Sequence, residues 1–167
     1  IQNSLADDSV EDIPDDIDLA IIVVPKEVVP KVVDQCGRKG VKGLVVITAG
    51  FKEIGPDGQM LELELVKQVK SYGMRMIGPN CFGVMNLNPD IQMNATFTAY
   101  KPTLGQIGFI SQSGALGEIL IDRAEREGLG MSMFASVGNK ADISGNDILE
   151  YWEDDESIKA ILLYLEN

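Results

Sequence analysis

The residues best suited to chemistry lie in one short segment, residues 105–118, where a turn of small side chains separates an apolar run from a run with helical periodicity. The turn contains Ser111, Ser113 and Gly114. Small side chains let a ligand approach the backbone, and the first N–H groups of a helix have no partner within that helix. The segment therefore predicts a site for a phosphate group or another anion.

The same turn is also compatible with two different roles for its serines. In the first, the serines only cap the following helix, and an isolated Ser-x-Ser-Gly turn fits that role equally well. In the second, one serine is a nucleophile, because hydrolases place one at a sharp turn between a strand and a helix. Hydrolase chemistry is excluded, since Ser111 and Ala115 occupy the positions that require glycine and the sequence has no histidine to act as the base.

Cysteine thiols and acidic clusters add no second reactive site. Cys36 lies at helical spacing with several valines and is therefore assigned to the core. Cys81 makes a poor nucleophile, because no histidine is present to lower the pKa of its thiol. The acidic run at residues 153–156 fits a solvated helix end.

Composition excludes several classes of protein. The net charge of −12 argues against a nucleic-acid partner, which requires a basic surface. No apolar run approaches the roughly 18 residues that span a bilayer, and the acidic stretch at residues 1–18 does not resemble a signal peptide. The two cysteines lie in unrelated contexts and indicate no disulfide framework. We therefore expect a soluble, cytoplasmic protein without a membrane or nucleic-acid partner.

Strands and helices alternate along the chain and must position the turn. Apolar runs of strand length predict strands at 19–24, 43–47, 74–77, 107–110, 131–137 and 158–165. Helical periodicity predicts helices at 26–38, 59–72, 115–127 and 147–154. Apolar strands that alternate with helices predict an α/β protein with parallel sheets covered on both faces. Ligands bind beyond the carboxyl ends of such strands, where residues 111–114 lie.

The chain divides into two α/β units at its least regular stretch. Residues 84–104 contain several asparagines and two prolines, and they predict irregular structure with one edge strand near 93–97. We place the boundary in this stretch. A first domain is expected over residues 1–98 and a second over residues 99–167.

Four motifs carry a resemblance to a known family. They are Asp-Leu-Ala-Ile-Ile-Val-Val-Pro at 18–25, Ile-Gly-Pro-Asn-Cys-Phe-Gly at 77–83, Phe-Ile-Ser-Gln-Ser-Gly-Ala-Leu-Gly at 109–117 and Val-Gly-Asn-Lys-Ala-Asp at 137–142. In this order they resemble the NDP-forming acyl-CoA synthetases, which include ADP-forming acetate–CoA ligase and the alpha subunit of succinyl-CoA synthetase. The acetate type is more similar, because succinyl-CoA synthetases usually have proline where Phe82 stands.

The resemblance implies both a fold and a reaction. The fold is the C-terminal part of a Rossmann-like CoA-binding domain followed by the N-terminal part of a flavodoxin-like, succinyl-CoA-ligase-like domain. The family members are acid-thiol ligases that convert acyl-CoA, ADP and phosphate to a carboxylic acid, ATP and CoA through an acyl phosphate and a phosphohistidine. Coenzyme A is the implied cofactor, and an ATP-grasp beta subunit or domain is the implied partner that binds ADP or ATP and Mg²⁺.

The resemblance also implies roles for individual residues. Ser111, Ser113 and Gly114 receive the phosphoryl group, in agreement with their position before a helix. Glu166 accepts a hydrogen bond from the phosphorylatable histidine and fixes its tautomer. The residues on the CoA side, of which the last two lie nearest the thiol, are Val24, Pro25, Thr48, Ala49, Gly50, Phe51, Asn80 and Cys81. Asn139 and Lys140 lie in a nearby loop without an assigned role.

The phosphorylatable histidine of the family has no counterpart in this sequence, which contains no histidine. We therefore expect a fragment of a longer polypeptide that is inactive alone. The alternative is a catalytically inactive, CoA-binding or ligand-sensing regulatory domain, such as those fused to protein acetyltransferases. A histidine in a downstream loop of small residues would identify the enzyme, and an acetyltransferase domain would identify the regulatory protein.

Overall fold

The computed structural model describes residues 6–166, which form two β-sheets and the helices that connect their strands. The first sheet is entirely parallel, in the order β1-β2-β3. Its strands are β1 (Leu19–Ile22), β2 (Gly43–Val46) and β3 (Arg75–Ile77), and its helices are α1 (Val29–Lys39) and α2 (Pro56–Ser71). One-turn 3-10 helices lie at Val10–Asp12 and Lys52–Ile54. The predicted alternation of strands and helices is confirmed in this part of the chain.

Local signals in the sequence fix both ends of α1. Pro30 lies in the first turn, where a helix tolerates proline because the missing N–H would have no intrahelical partner. Gly40 ends the helix in the left-handed conformation, with φ at 85°, and its N–H donates to the carbonyl of Gly37. Val33 and Cys36 lie on the buried face, so the assignment of Cys36 to the core is confirmed.

The second sheet is mixed, in the order β5-β4-β7-β6-β8. Its strands are β4 (Gly83–Asn86), β5 (Met93–Thr96), β6 (Leu104–Ser111), β7 (Met131–Ser136) and β8 (Ala160–Tyr164), and its helices are α3 (Gly114–Glu127) and α4 (Gly145–Trp152). Strand β6 pairs in parallel with β7 and β8, whereas β4 pairs antiparallel with β5 and β7. Within residues 6–166, no helix combines the length and the apolar character that crossing a membrane requires.

The prediction of irregular structure after residue 83 is wrong for β4, which is a buried strand of the second sheet. Strand β5 confirms the edge strand expected near 93–97. Gly83 permits the pairing of β4 with β5, because a Cβ at this position would lie 2.0 Å from the carbonyl oxygen of Ala95. The chain passes from the first sheet to the second between β3 and β4. The domain boundary placed after residue 98 stays a prediction.

Strand β8 also differs from its prediction. Its apolar sequence indicated a buried strand, but all five of its residues are exposed. In the described part of the chain β8 pairs with β6 alone and forms an edge of the second sheet. Leu162, for example, keeps 47% of its surface accessible.

Hydrophobic contacts join the two sheets. Val45 of β2 belongs to the same core cluster as Ile110 of β6, Ala135 of β7 and Trp152 of α4. This packing holds the first sheet against the second. The loops that follow β2, β3 and β6 consequently meet at one cleft.

Candidate active site

The turn after β6 has the geometry of an anion site. Ser113 is the N-cap of α3, with an extended backbone, and its hydroxyl accepts a hydrogen bond of 3.3 Å from the N–H of Leu116. Ser111 is buried, and its hydroxyl donates to the carbonyl of Ser113 at 2.6 Å. Gly114 and Ala115 open the helix, so their N–H groups have no intrahelical partner. Helix capping and the predicted anion binding are therefore compatible, because the serines shape the turn while these two N–H groups keep no partner within the helix.

A cleft of about 520 Å³ lies beside this turn. Five of the predicted site residues line it together: Asn80, Cys81, Ser113, Gly114 and Glu166. The other lining residues are Ile47, Phe82, Phe97, Gln112, Ala115 and Glu118. The turn predicted to bind an anion and the loop predicted to lie at the thiol end of CoA thus share one cleft.

Glu166 lies at the rim of the cleft, beyond the end of β8. Gln112 fixes this position, because its N–H donates to the carbonyl of Tyr164 and its side-chain oxygen accepts from the N–H of Glu166, both at 2.9 Å. The Glu166 side chain is exposed. The prediction that it shares a rim with the turn at residues 111–114 is confirmed, although the strand before it is not buried.

The loops predicted to line the CoA side form a connected group next to the cleft. Thr48 donates through its hydroxyl to the carbonyl of Val24 at 2.7 Å, and its own carbonyl accepts from the N–H of Asn80 at 3.0 Å. Pro25 and Ala49 are exposed, and Gly50 takes a positive φ of 105°. These hydrogen bonds hold the loops after β1, β2 and β3 together.

Two of the predicted contact residues, Phe51 and Cys81, are buried. Phe51 is 2% exposed and packs in the hydrophobic core, so its side chain supports the loop and offers a ligand almost no surface. Cys81 is 5% exposed, and its thiol donates to the carbonyl of Val46 at 3.3 Å. Burial raises the pKa of Cys81 to about 12. Its thiol is therefore protonated at neutral pH, as expected for a poor nucleophile.

Sequence reasoning missed a polar network behind the cleft. Asn139, in the loop after β7, is 5% exposed and donates to the carboxylates of Glu53 and Glu62 at 2.6 and 2.7 Å. Its side-chain oxygen accepts from Asn80 at 3.3 Å. The Gly-Asn-Lys-Ala-Asp motif singled out Asn139 without assigning a role, and nothing in the sequence indicated that the two glutamates are its partners.

The charge of the cleft restricts how it can hold an anion. Of the described residues, those that line the cleft include the carboxylates Glu118 and Glu166 but no lysine or arginine. An anion must therefore be held by backbone N–H groups and by the partial positive charge of the helix N-terminus. A side chain at position 114 would crowd Phe82, since a Cβ there would lie 3.3 Å from the Cβ of Phe82. Among the residues that line the cleft, those at the N-terminus of α3 are the ones that could hold a phosphate group.

Comparison with protein families supports the division into two kinds of domain. Residues 1–86 match the CoA binding domain family, and residues 104–167 match the succinyl-CoA ligase like flavodoxin domain family. The first match covers the parallel sheet, and the second covers β6, β7, β8 and the turn at α3. The resemblance that rests on the four motifs is confirmed.

Individual relatives lead to the same family. The chain is 50% identical to acetate–CoA ligase [ADP-forming] I of Archaeoglobus fulgidus, over 95% of this chain and 23% of the relative. It is 49% identical to acetate–CoA ligase [ADP-forming] II subunit alpha of Pyrococcus furiosus, over 99% of this chain and 36% of that subunit.

A solved structure agrees with these relatives. The dinucleotide forming acetyl-coenzyme A synthetase 1 of Ca. Korarchaeum cryptofilum, in complex with phosphate and ADP, superposes with a TM-score of 0.93 and 44% identity, over 100% of this chain and 35% of that one. The chain thus spans only about a quarter to a third of the relatives that it matches. Two family matches, sequence identities near one half and a common fold lead to one conclusion: the chain belongs to the NDP-forming acyl-CoA synthetase family, within the region that contains its CoA-binding and succinyl-CoA-ligase-like domains.

Proposed function

We propose that this chain is the CoA-binding and phosphate-binding part of an ADP-forming acyl-CoA synthetase, an acid-thiol ligase of the acetate–CoA ligase type. The full enzyme converts acyl-CoA, ADP and phosphate to a carboxylic acid, ATP and CoA through an acyl phosphate and a phosphohistidine. One observation carries the proposal. The N-terminus of α3 and the loop at Asn80 line the same cleft.

That juxtaposition is what the first chemical step requires. A phosphate oxygen must attack the acyl carbonyl while the thioester is held, so the anion site and the thiol end of CoA have to face the same small volume. The N–H groups of Gly114 and Ala115 would hold the phosphate. They would also stabilise the negative charge that develops on its oxygens. In this account Ser111 and Ser113 act by shaping the turn.

The CoA side is assigned to the connected loops beside the cleft. Val24, Pro25, Thr48, Ala49 and Gly50 would contact the cofactor, and Asn80 would lie nearest its thiol. The hydrogen bonds from Thr48 to Val24 and from Asn80 to Thr48 support this assignment, because they hold the loops in a single arrangement. Phe51 and Cys81 are buried, so they would stabilise these loops by packing and would not contact the cofactor extensively.

The nucleotide would come from a partner. Two relatives from Pyrococcus furiosus are named as alpha subunits of ADP-forming acetate–CoA ligases, which supports an ATP-grasp subunit or domain that binds ADP and Mg²⁺. The phosphoryl group would travel between the two sites on a histidine supplied by the full-length protein. Glu166, at the rim of the cleft, would orient that histidine.

The test of this function is ATP synthesis by the full-length protein together with its ATP-grasp partner. With acetyl-CoA, ADP, phosphate and Mg²⁺, we expect ATP and free CoA in equal amounts, and omission of phosphate should abolish both products. CoA binding without ATP formation from any acyl-CoA would contradict the proposal. That result would indicate the regulatory, ligand-sensing alternative.

A further inference from the structure

Asn139 lies at the centre of a polar network that connects the loops after β2, β3 and β7. Its side-chain nitrogen lies 2.6 Å from Oε2 of Glu53 and 2.7 Å from Oε2 of Glu62. Its side-chain oxygen accepts from Nδ2 of Asn80 at 3.3 Å. An amide nitrogen has two hydrogens, one for each carboxylate, so the whole amide group is used.

This arrangement fixes the orientation of the Asn139 amide. Ionised carboxylates only accept hydrogen bonds, so the NH₂ group must face Glu53 and Glu62 and the oxygen must face Asn80. The backbone of Asn139 is held as well, because its N–H donates to the carbonyl of Pro79 at 2.9 Å and its carbonyl accepts from the ammonium group of Lys52. The loop after β7 is therefore fastened to the loops after β2 and β3.

Glu53 extends the network to the CoA side. Its Oε1 accepts from the N–H of Phe51 at 3.1 Å and from the N–H of Gly50, while its Oε2 accepts from Asn139. Burial raises the pKa of Glu53, but the hydrogen bonds from Asn139 and from the loop N–H groups together outweigh it and lower the pKa below the usual value. Glu53 is consequently a carboxylate at neutral pH, as these contacts require.

We propose that Asn139 is a positioning residue that fixes the loop at residues 48–51 and the Asn80 side chain in one relative arrangement for acyl transfer. The inference rests on the proposed function and deepens it. Asn139 is absent from the residues that line the cleft, so it acts through Asn80 and Glu53. Substitution of Asn139 should therefore slow acyl transfer from acyl-CoA and leave phosphoenzyme formation unchanged. None of the side-chain hydrogen bonds of Asn139 reaches the turn at residues 111–114.

The test is Asn139→Asp in the full-length enzyme with its partner, measured in two half-reactions. The substitution places a third carboxylate against Glu53 and Glu62 and removes both donors. Transfer of acetyl from acetyl-CoA to phosphate should fall by about tenfold or more, with a higher KM for acetyl-CoA. Phosphoenzyme formation from labelled ATP should stay at the wild-type rate.

Two further variants make the test specific. The double variant Asn139→Asp/Glu53→Gln reverses one hydrogen bond, because the amide introduced at position 53 can donate to the carboxylate introduced at position 139. This double variant should therefore recover part of the acyl transfer that Asn139→Asp loses. Glu53→Gln alone keeps an oxygen that accepts from the N–H groups of Gly50 and Phe51. It should slow acetyl transfer to phosphate less than Asn139→Asp does and leave phosphoenzyme formation unchanged. Asn146→Asp, the same change at an exposed position, is the matched control and should be silent.

The outcomes are distinguishable. Acyl transfer at the wild-type rate in both Asn139→Asp and Glu53→Gln would overturn the inference. So would a parallel loss of phosphoenzyme formation, since that is what a merely structural role predicts. A wild-type enzyme that forms neither the acyl phosphate nor the phosphoenzyme would instead refute the proposed function, irrespective of any variant.

Discussion

The proposed role of Glu166 is to accept a hydrogen bond from a histidine of the full-length protein. Glu166 combines an exposed carboxylate with a backbone held by Gln112 at the rim of the cleft. A carboxylate that accepts a hydrogen bond from one nitrogen of a histidine leaves the other nitrogen free to attack phosphorus. It also stabilises the positive charge that develops on the ring.

Glu166→Gln in the full-length enzyme should therefore slow phosphoenzyme formation from ATP. An oriented carboxylate of this kind is worth on the order of 2 to 4 kcal/mol, or roughly 30- to 1000-fold in rate. Acetyl transfer from acetyl-CoA to phosphate should be unaffected, because that step precedes the histidine. Glu156→Gln, at another exposed glutamate, serves as the control. A Glu166→Gln variant that phosphorylates at the wild-type rate would remove Glu166 from the mechanism.

The contacts of individual residues were predictable from the sequence only where the partners lie close together in the chain. Ser113 was identifiable because a cap depends on residues three positions away. Glu53 and Glu62 read as ordinary acidic side chains, since their partner Asn139 is 86 and 77 residues away. Phe51 was placed correctly in its loop, but its burial in the core depends on packing that its neighbours do not reveal.

At the scale of elements, Asp142 fastens the loop after β7 to the first sheet. Its side chain is 3% exposed and accepts from Nε of Arg75 at 3.0 Å and from the N–H of Met76 at 2.8 Å, with Lys70 at 3.9 Å. The same loop carries Asn139. The position of the polar network therefore depends on this attachment.

Asp142→Ala should destabilise the protein by about 1 to 3 kcal/mol, because it leaves a buried backbone N–H without its acceptor. The half-exposed guanidinium of Arg75 can turn to water, which keeps the loss below that of a fully buried ion pair. Urea unfolding measures the change. Asp142→Asn keeps an acceptor oxygen and should cost less, and equal stability of Asp142→Ala and wild type would show that the attachment contributes nothing.

Strands and helices were predictable from the sequence where their hydrophobic pattern was clear. Parallel strands such as β2 are buried on both faces and read as continuous apolar runs, so the alternation with helices was visible in the sequence. Strand β4 was not visible, because Gly83 and Asn86 at its ends are typical of loops and its antiparallel partners lie elsewhere in the chain. The exposure of β8 depends on its position at the sheet edge, which its apolar residues do not encode.

At the scale of the whole molecule, the net charge of −12 opposes the binding of anionic substrates. Two carboxylates line the cleft itself, so the proposed phosphate would have to be held there by local dipoles. The N-terminus of α3 is therefore the central element of the proposed phosphate site. It begins at a capped turn and lines a cleft together with the loop at Asn80, which we propose lies near CoA. The packing between the two sheets holds these segments in place.

The most direct test of this claim removes one N–H group from the α3 N-terminus. Ala115→Pro does so at the second helical position, which is where α1 already accommodates Pro30, and the Ala115 side chain is exposed. In the full-length enzyme with its partner, loss of a hydrogen bond to a charged group should raise the KM for phosphate about tenfold. The KM for acetyl-CoA should not change, and Ala115→Gly, which keeps the N–H, should behave like wild type. A folded Ala115→Pro variant with an unchanged KM for phosphate would contradict the account.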